Sequence, residues 1–204
     1  MTTTHALKFE SPDLGEETAR ADLYGLLSAL LAGPPPQAML DLIAMAESEG
    51  DGVLHLAWTN LARASRGAQE EAVRAEYEHL FIGVGKPEVM LYGSYYLSGF
   101  LMEKPLVALR TDLARLGLER VESVMESEDH IASLCEVMRY LIASDDIQHA
   151  NIATQKQFFA SHMQPWLAQL CDAISAHPEA RFYTPVAHLA RAFFEVEMQA
   201  FDMD

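Results

Sequence analysis

Asp129 and His130 stand next to each other, with Glu126 and Glu128 just before them. A carboxylate beside an imidazole is the raw material of general acid–base chemistry and of metal binding. On a helix, however, neighbouring residues point about 100° apart. This pair therefore holds no metal without a ligand from another element. Gly83-Val84-Gly85-Lys86 looks like the end of a phosphate-binding loop, but that loop needs a glycine five residues before its Gly-Lys pair and Ser or Thr after it. Leu80 and Pro87 occupy those places, which excludes it. The eight histidines make no HExxH, Cys135 and Cys171 make no CxxC, and no GxSxG elbow presents a serine. Cys135 and Cys171 read as buried thiols on apolar helix faces.

The same stretch offers binding chemistry. Gly83 and Gly85 permit a positive φ in a tight loop, where a ligand backbone also fits. Tyr92, Tyr95 and Tyr96, with Phe100 and Met102, form a dense aromatic group beside it. Core packing explains most of such a group, yet three hydroxyls need partners, so at least one reaches a polar rim. Ser127 reads as a helix N-cap, with Glu126, Glu128 and Asp129 complementing the helix dipole. In that first turn the dipole biases His130 toward its neutral form.

The elements positioning these residues are helical. Pro12 opens the first, with Ser11 as cap and Ala19, Leu23, Leu26, Leu27 and Leu30 as its stripe. Gly33 and Pro34-Pro35-Pro36 end it. Met39, Leu42, Ile43 and Ala46 mark a second stripe, Leu54, Trp58 and Leu61 a third, and Ala72, Tyr77, Leu80 and Phe81 a fourth. Residues 94–102 make a short helix. The next has Pro105 in its first turn, Leu106, Leu109, Leu113 and Leu116 inside, and Gly117 past its end. Ile131, Leu134, Cys135, Met138, Leu141 and Ile142 face the core from the helix that Ser127 opens. Asn151 to Ala176 carries Phe158, Phe159, Met163, Leu167, Leu170 and Ile174, broken at Pro165. Val186, Leu189, Phe193 and Val196 line the last. The expectation is all-α, one globular domain over 1–204 of about eight to nine helices, with 1–10 a loose tail.

With 204 residues, such a domain removes roughly 70% of its unfolded surface from water. Fourteen Lys and Arg against 30 Asp and Glu, a net charge of −16, argue against a nucleic-acid partner and favour either a protein kept soluble by its charge, the commoner reason for such a balance, or a ligand bearing positive charge. No apolar run approaches the ~20 residues of a membrane span. Residues 1–14 lack the pattern of a secretory signal, so the expected location is cytoplasmic.

Leu80-Phe81-Ile82-Gly83-Val84-Gly85, then Tyr92-Gly93-Ser94-Tyr95-Tyr96-Leu97, then Glu126-Ser127-Glu128-Asp129-His130, resemble in order and spacing the TorD/DmsD family of molybdoenzyme-specific chaperones. Phe159 to Trp166 is similar too, and the resemblance covers about 19–196. Val84 and Ser127 stand where the family often has proline. The resemblance implies a chaperone without turnover or cofactor of its own. It would bind the twin-arginine signal segment and apo-form of a molybdopterin oxidoreductase until cofactor insertion is complete, acting as monomer or homodimer. A cationic, apolar segment needs an apolar groove with an acidic rim. Tyr77, Leu80, Phe81, Tyr92, Tyr96 and Leu97 would supply the groove, Gly83, Gly85 and Ser94 its loop and turn, and Glu126, Glu128, Asp129 and His130 its polar edge. On that basis Leu80→Glu abolishes capture and Asp129→Asn weakens it. The alternatives are a helical adaptor, or a nucleotide-hydrolysing enzyme using Asp129 and His130.

Overall fold

The computed structural model describes residues 12–48, 50–120, 126–144 and 151–203, with side chains from residue 15. The Ser11 cap and the 1–10 tail lie outside them. Ten α-helices and one π turn follow in order: α1 (Pro12–Ala32), α2 (Gln37–Met45), α3 (Val53–Arg66), α4 (Glu70–Tyr77), the π turn (Glu78–Ile82), α5 (Gly93–Ser98), α6 (Lys104–Arg115), α7 (Ile131–Ala143), α8 (Ile152–His162), α9 (Gln164–Ala176) and α10 (Tyr183–Met203). The expected all-α bundle is what forms. Among the described residues the only strand-like pairing is an isolated antiparallel bridge, Tyr92 to His130.

α1 lies along α7, while α10 packs against α3, α9 and α1. Their stripes meet in one core with Leu27, Leu30, Cys135, Met138, Phe193 and Trp166 fully enclosed. Each large side chain there contributes about 1.5–3 kcal/mol by leaving water. All six residues expected to face inward from α7 do so. The 152–176 segment breaks at Met163, because Pro165 has no N–H to continue α8, and α9 restarts with bonds from the Trp166 and Leu167 amides to the Met163 carbonyl. Gly117, at φ 68°, follows the end of α6 as expected.

Some stripes are rotated. Leu40, not Leu42, joins Ile43 inside α2, and Val73, not Ala72, is buried on α4. On α10 Val196 is exposed and Glu197 is interior. Two carboxylates thus do work that hydropathy hid. Glu197 takes a fork of bonds from Arg20 of α1, at 2.7 and 2.9 Å, and a third from the Tyr24 hydroxyl. Glu76 of α4 accepts the Arg181, Phe182 and Tyr183 amides at 2.8, 3.1 and 2.9 Å, so one helix caps the open N-terminus of another.

Candidate functional site

The π turn is where the notable stretch begins. Its bond from the Gly83 amide to the Glu78 carbonyl, 2.8 Å, closes a loop one residue wider than an α turn. The wider turn buries both Leu80 and Phe81 and leaves Ile82 outside. Gly83 then reverses the chain at φ 62°, and a Cβ there would sit 2.3 Å from the Lys86 carbonyl oxygen. The chain returns so that the Val89 amide donates to the Leu80 carbonyl. Only glycine fits this reversal, so Gly83→Ala is expected to cost about 2 kcal/mol in urea unfolding, above the usual ~1 for a strained turn position.

From Leu91 the loop is stitched to the segment before α7. The Ile131 amide donates to the Leu91 carbonyl and the Gly93 amide to the Asp129 carbonyl, both at 2.9 Å. Asp129, 4% exposed, fills its side chain with structural bonds: Oδ2 accepts the Ser94 amide at 2.8 Å, and Oδ1 accepts the Ser127 hydroxyl at 2.5 Å. Asp129 therefore holds the start of α5 from across the bridge. The N-cap of α7 is His130 rather than Ser127: its Nδ1 accepts the Ala132 amide at 3.2 Å. Burial drives the His130 pKa down to about 4, against the raising pull of Glu126 and Asp129. Its neutrality thus comes chiefly from lost water. Neither residue lies within the helix, and both have their acceptors engaged by backbone or Ser127. The pair locks a chain crossing.

Around this crossing the expected residues fall into two layers. Tyr77, Leu80 and Phe81 are interior, with Tyr77 and Phe81 ringed against Tyr183 at 5.7 and 4.9 Å. Burial, then the charge of Glu126, pushes the Tyr77 hydroxyl up to about 12, and that hydroxyl donates to the Leu31 carbonyl. Half-buried Tyr92 meets the His130 ring edge-on at 5.0 Å. Tyr96 stacks on Trp166, 5.5 Å away and 18° from parallel, and its hydroxyl donates to the Met90 carbonyl. Gly93 lies flat on the same indole, with room for no Cβ beyond 3.0 Å. Leu97, Gly85 and Glu126 are at the surface.

Glu128 is the acid that faces a guanidinium already. Arg110 of α6 grips its carboxylate with two bonds, 3.1 and 2.9 Å, and Arg120 stands 3.9 Å off. Burial acts to raise the Glu128 carboxyl, but the Arg110 bonds and both positive charges outweigh it and hold it low. Sequence reading did not assign these arginines a role; their signal is that three of the ten arginines fall within 110–120, immediately before the acidic segment. Among the described residues no group of three His, Cys, Asp or Glu is placed to hold a metal, and no helix is long and apolar enough to cross a membrane.

Fold and site together define an all-helical protein whose polar centre is a backbone clasp with one arginine-gripped carboxylate at its edge. The family described as nitrate reductase delta subunit matches residues 48–172, which contain the loop, α5, α6 and the clasp. The chain is 24% identical over 202 residues to the chaperone protein TorD of an El Tor strain of Vibrio cholerae, covering 90% of this chain and 92% of that one. It is 27% identical over 135 residues to TorD of the classical Ogawa strain, covering 63% and 61%, so the chain spans under two thirds of that relative. A redox enzyme maturation protein described from Archaeoglobus fulgidus shares the fold, with a TM-score of 0.54 at 18% identity over 95% of this chain and 98% of that one. The chain belongs to the TorD/DmsD family of redox-enzyme maturation chaperones.

Proposed function

We propose that this chain, acting as a single helical domain in the cytoplasm, is a chaperone that holds the N-terminal signal segment and apo-form of a molybdopterin oxidoreductase until its cofactor is inserted. The observation that carries this is the family match across 48–172, which places the loop, α5 and the Glu126–His130 segment inside the shared region. Tyr92, Tyr96 and Leu97 are the part of the apolar surface reachable from outside; Tyr77, Leu80 and Phe81 form the layer beneath, and Gly83, Gly85 and Ser94 shape the loop and turn above. Leu80 is fully enclosed, so Leu80→Glu reports on folding, and Leu97→Glu is the sound test of the groove. Glu126 offers exposed charge at the edge, while Asp129 and His130 act indirectly by fixing the clasp.

Glu128 supplies the arginine site. Its carboxylate is already arranged for a planar two-bond fork, and Arg110 occupies that fork from a position more than half exposed. A signal-segment guanidinium binds by replacing Arg110, an exchange that costs little because surface ion pairs are worth about 0–1 kcal/mol. Arg110→Ala is therefore expected to tighten binding of a synthetic twin-arginine signal peptide by up to about fivefold, within the roughly 0–1 kcal/mol of the displaced pair, and Glu128→Gln to weaken it about tenfold, roughly 1.4 kcal/mol. Fluorescence anisotropy of the labelled peptide checks both. The function itself is tested by affinity capture from the source cytoplasm with partners identified by mass spectrometry. A molybdoenzyme precursor retained by wild type and depleted by Leu97→Glu with Glu128→Gln supports the reading. Capture only of partners lacking an N-terminal signal segment favours an adaptor.

A further inference from the structure

α8 ends on a carbonyl that its own helix does not use. In an unbroken helix the His162 carbonyl would take the amide of Trp166, four residues on. At the break that amide bonds the Met163 carbonyl instead, and the Trp166 indole N–H takes the His162 carbonyl at 2.7 Å. One backbone group thus fixes the direction of the indole. Tyr96 stacks on that ring, and Gly93 lies against it where a side chain would not fit. The floor beneath α5 is set by where His162 sits.

His162 is held in turn from α6. Its side chain is 8% exposed, its ring packs on Phe158, and its Nε2 lies 2.9 Å from Asp112 Oδ2. A carboxylate only accepts, so Nε2 carries the hydrogen and donates. The other Asp112 oxygen accepts Arg115, one turn further along α6. Two residues before Asp112, Arg110 reaches to Glu128. Positions two apart on a helix point about 160° from each other. Among the described residues these are the two polar side-chain ties of α6 to other elements. The contacts then close a ring. Arg110 joins α6 to Glu128, and the next residue, Asp129, accepts the Gly93 and Ser94 amides. Gly93 rests on Trp166, Trp166 bonds His162, and His162 returns to Asp112 of α6.

We infer that Asp112 and His162 are positioning residues for the arginine site. Through Trp166 they hold the α5 turn against Asp129, and so keep the neighbouring Glu128 carboxylate where a guanidinium of the client segment meets it. When that guanidinium replaces Arg110, α6 loses one polar tie and keeps the other. The ring opens beside the ligand and stays closed at His162, so the floor under Tyr96 does not shift as the segment enters. Neither residue touches the segment. Their role in capture rests on the function proposed above; the ring does not.

His162→Leu keeps apolar bulk against Phe158 and removes the donor. It is expected to weaken binding of the labelled twin-arginine peptide about fivefold in anisotropy, the size of effect a residue has when it acts through a network. His162→Gln, whose amide donates from a similar place, restores affinity to within about twofold; Asp112→Ala added to His162→Leu costs no more than about twofold further, because the tie is already cut. Hydrogen exchange reads the ring without a ligand. In His162→Leu the Gly93 and Ser94 amides exchange at least about tenfold faster than in wild type, and the Leu27 and Leu30 amides of α1 accelerate less. A merely structural pair would lower global stability and speed all of these amides alike. Wild-type affinity in His162→Leu, additive losses from the two substitutions, or equal acceleration of the α1 and α5 amides overturns the inference. A wild-type chain that does not bind the peptide sinks the proposed function, and the amide comparison then decides the ring by itself.

Discussion

Glu197→Ala is expected to lower the unfolding free energy by about 3–5 kcal/mol, the loss that follows when one partner of a buried ion pair is removed. Glu197 is 1% exposed and joins three helices: Arg20 and Tyr24 of α1 bond to it, and Arg20 also donates to the Gln155 side chain of α8. Without the carboxylate, the guanidinium stays in the wall of the core and the Tyr24 hydroxyl is left enclosed with no acceptor. Arg20 also lies over the Phe201 ring, 5.6 Å from its centre, so it does not swing clear without opening the end of α10. The penalty belongs to the orphaned groups rather than to the pair's own strength. Arg20→Leu with Glu197→Leu therefore recovers the guanidinium's share of the loss and leaves that of the Tyr24 hydroxyl, which still has no acceptor. Urea unfolding of the single and double variants checks this, with the slope against urea unchanged because the surface exposed on unfolding is the same.

The residues that specified the bundle were legible because burial acts on side-chain type at a fixed period. Every expected inward residue of α7 is inward, and the break at Pro165 follows from a missing donor. Legibility failed where one residue decides the rotation of a short helix. In the nine-residue α2, Leu40, Leu42 and Ile43 offer two stripes, and packing of α2 on α3 chose the one through Leu40. It failed again at Glu197, where a stripe through Phe193 continues to either Val196 or Glu197. Hydropathy favours valine, but Arg20 contributed by α1 makes the glutamate the interior residue. That partner is 177 positions away and invisible to local pattern.

The candidate site shows the same division. The segments 80–85, 92–97 and 126–130 were identifiable by their residues, and the structure draws the second and third together through the Tyr92–His130 bridge. The roles within them were not. Ser127 has the chemistry of a cap but bonds Asp129, and His130 takes the cap instead, because the chain crosses the loop before it enters α7. Leu80 and Phe81 looked like groove and are core, since a π turn admits one more inward residue than an α turn. The pairing of Glu128 with Arg110 is an inter-element ion pair 18 residues apart, which no spacing rule announces.

The His130 cap makes stability depend on pH in a defined direction. Its folded-state pKa is about 4 and its ordinary value 6.5, so between those values the unfolded chain takes up a proton that the folded chain refuses. Stability is then fully present above about pH 6.5 and is lost as pH falls toward 4, with a limiting loss of about 3 kcal/mol from this group at 1.36 kcal/mol per unit. Geometry gives the same sign: a proton on Nδ1 removes the acceptor that holds the Ala132 amide, and it places charge beside the Tyr92 ring edge in an enclosed site. Asparagine caps helices well and does not titrate. His130→Asn is thus expected to cost little at pH 7 and to lose about 3 kcal/mol less than wild type between pH 7 and pH 4, measured by urea unfolding at each pH. Because the comparison is of slopes, any packing lost against Tyr92 cancels. A general base at this position would share this stability slope and would in addition impose its pKa on a rate profile, so a pH–rate measurement on the same pair of chains separates a clasp from a catalyst.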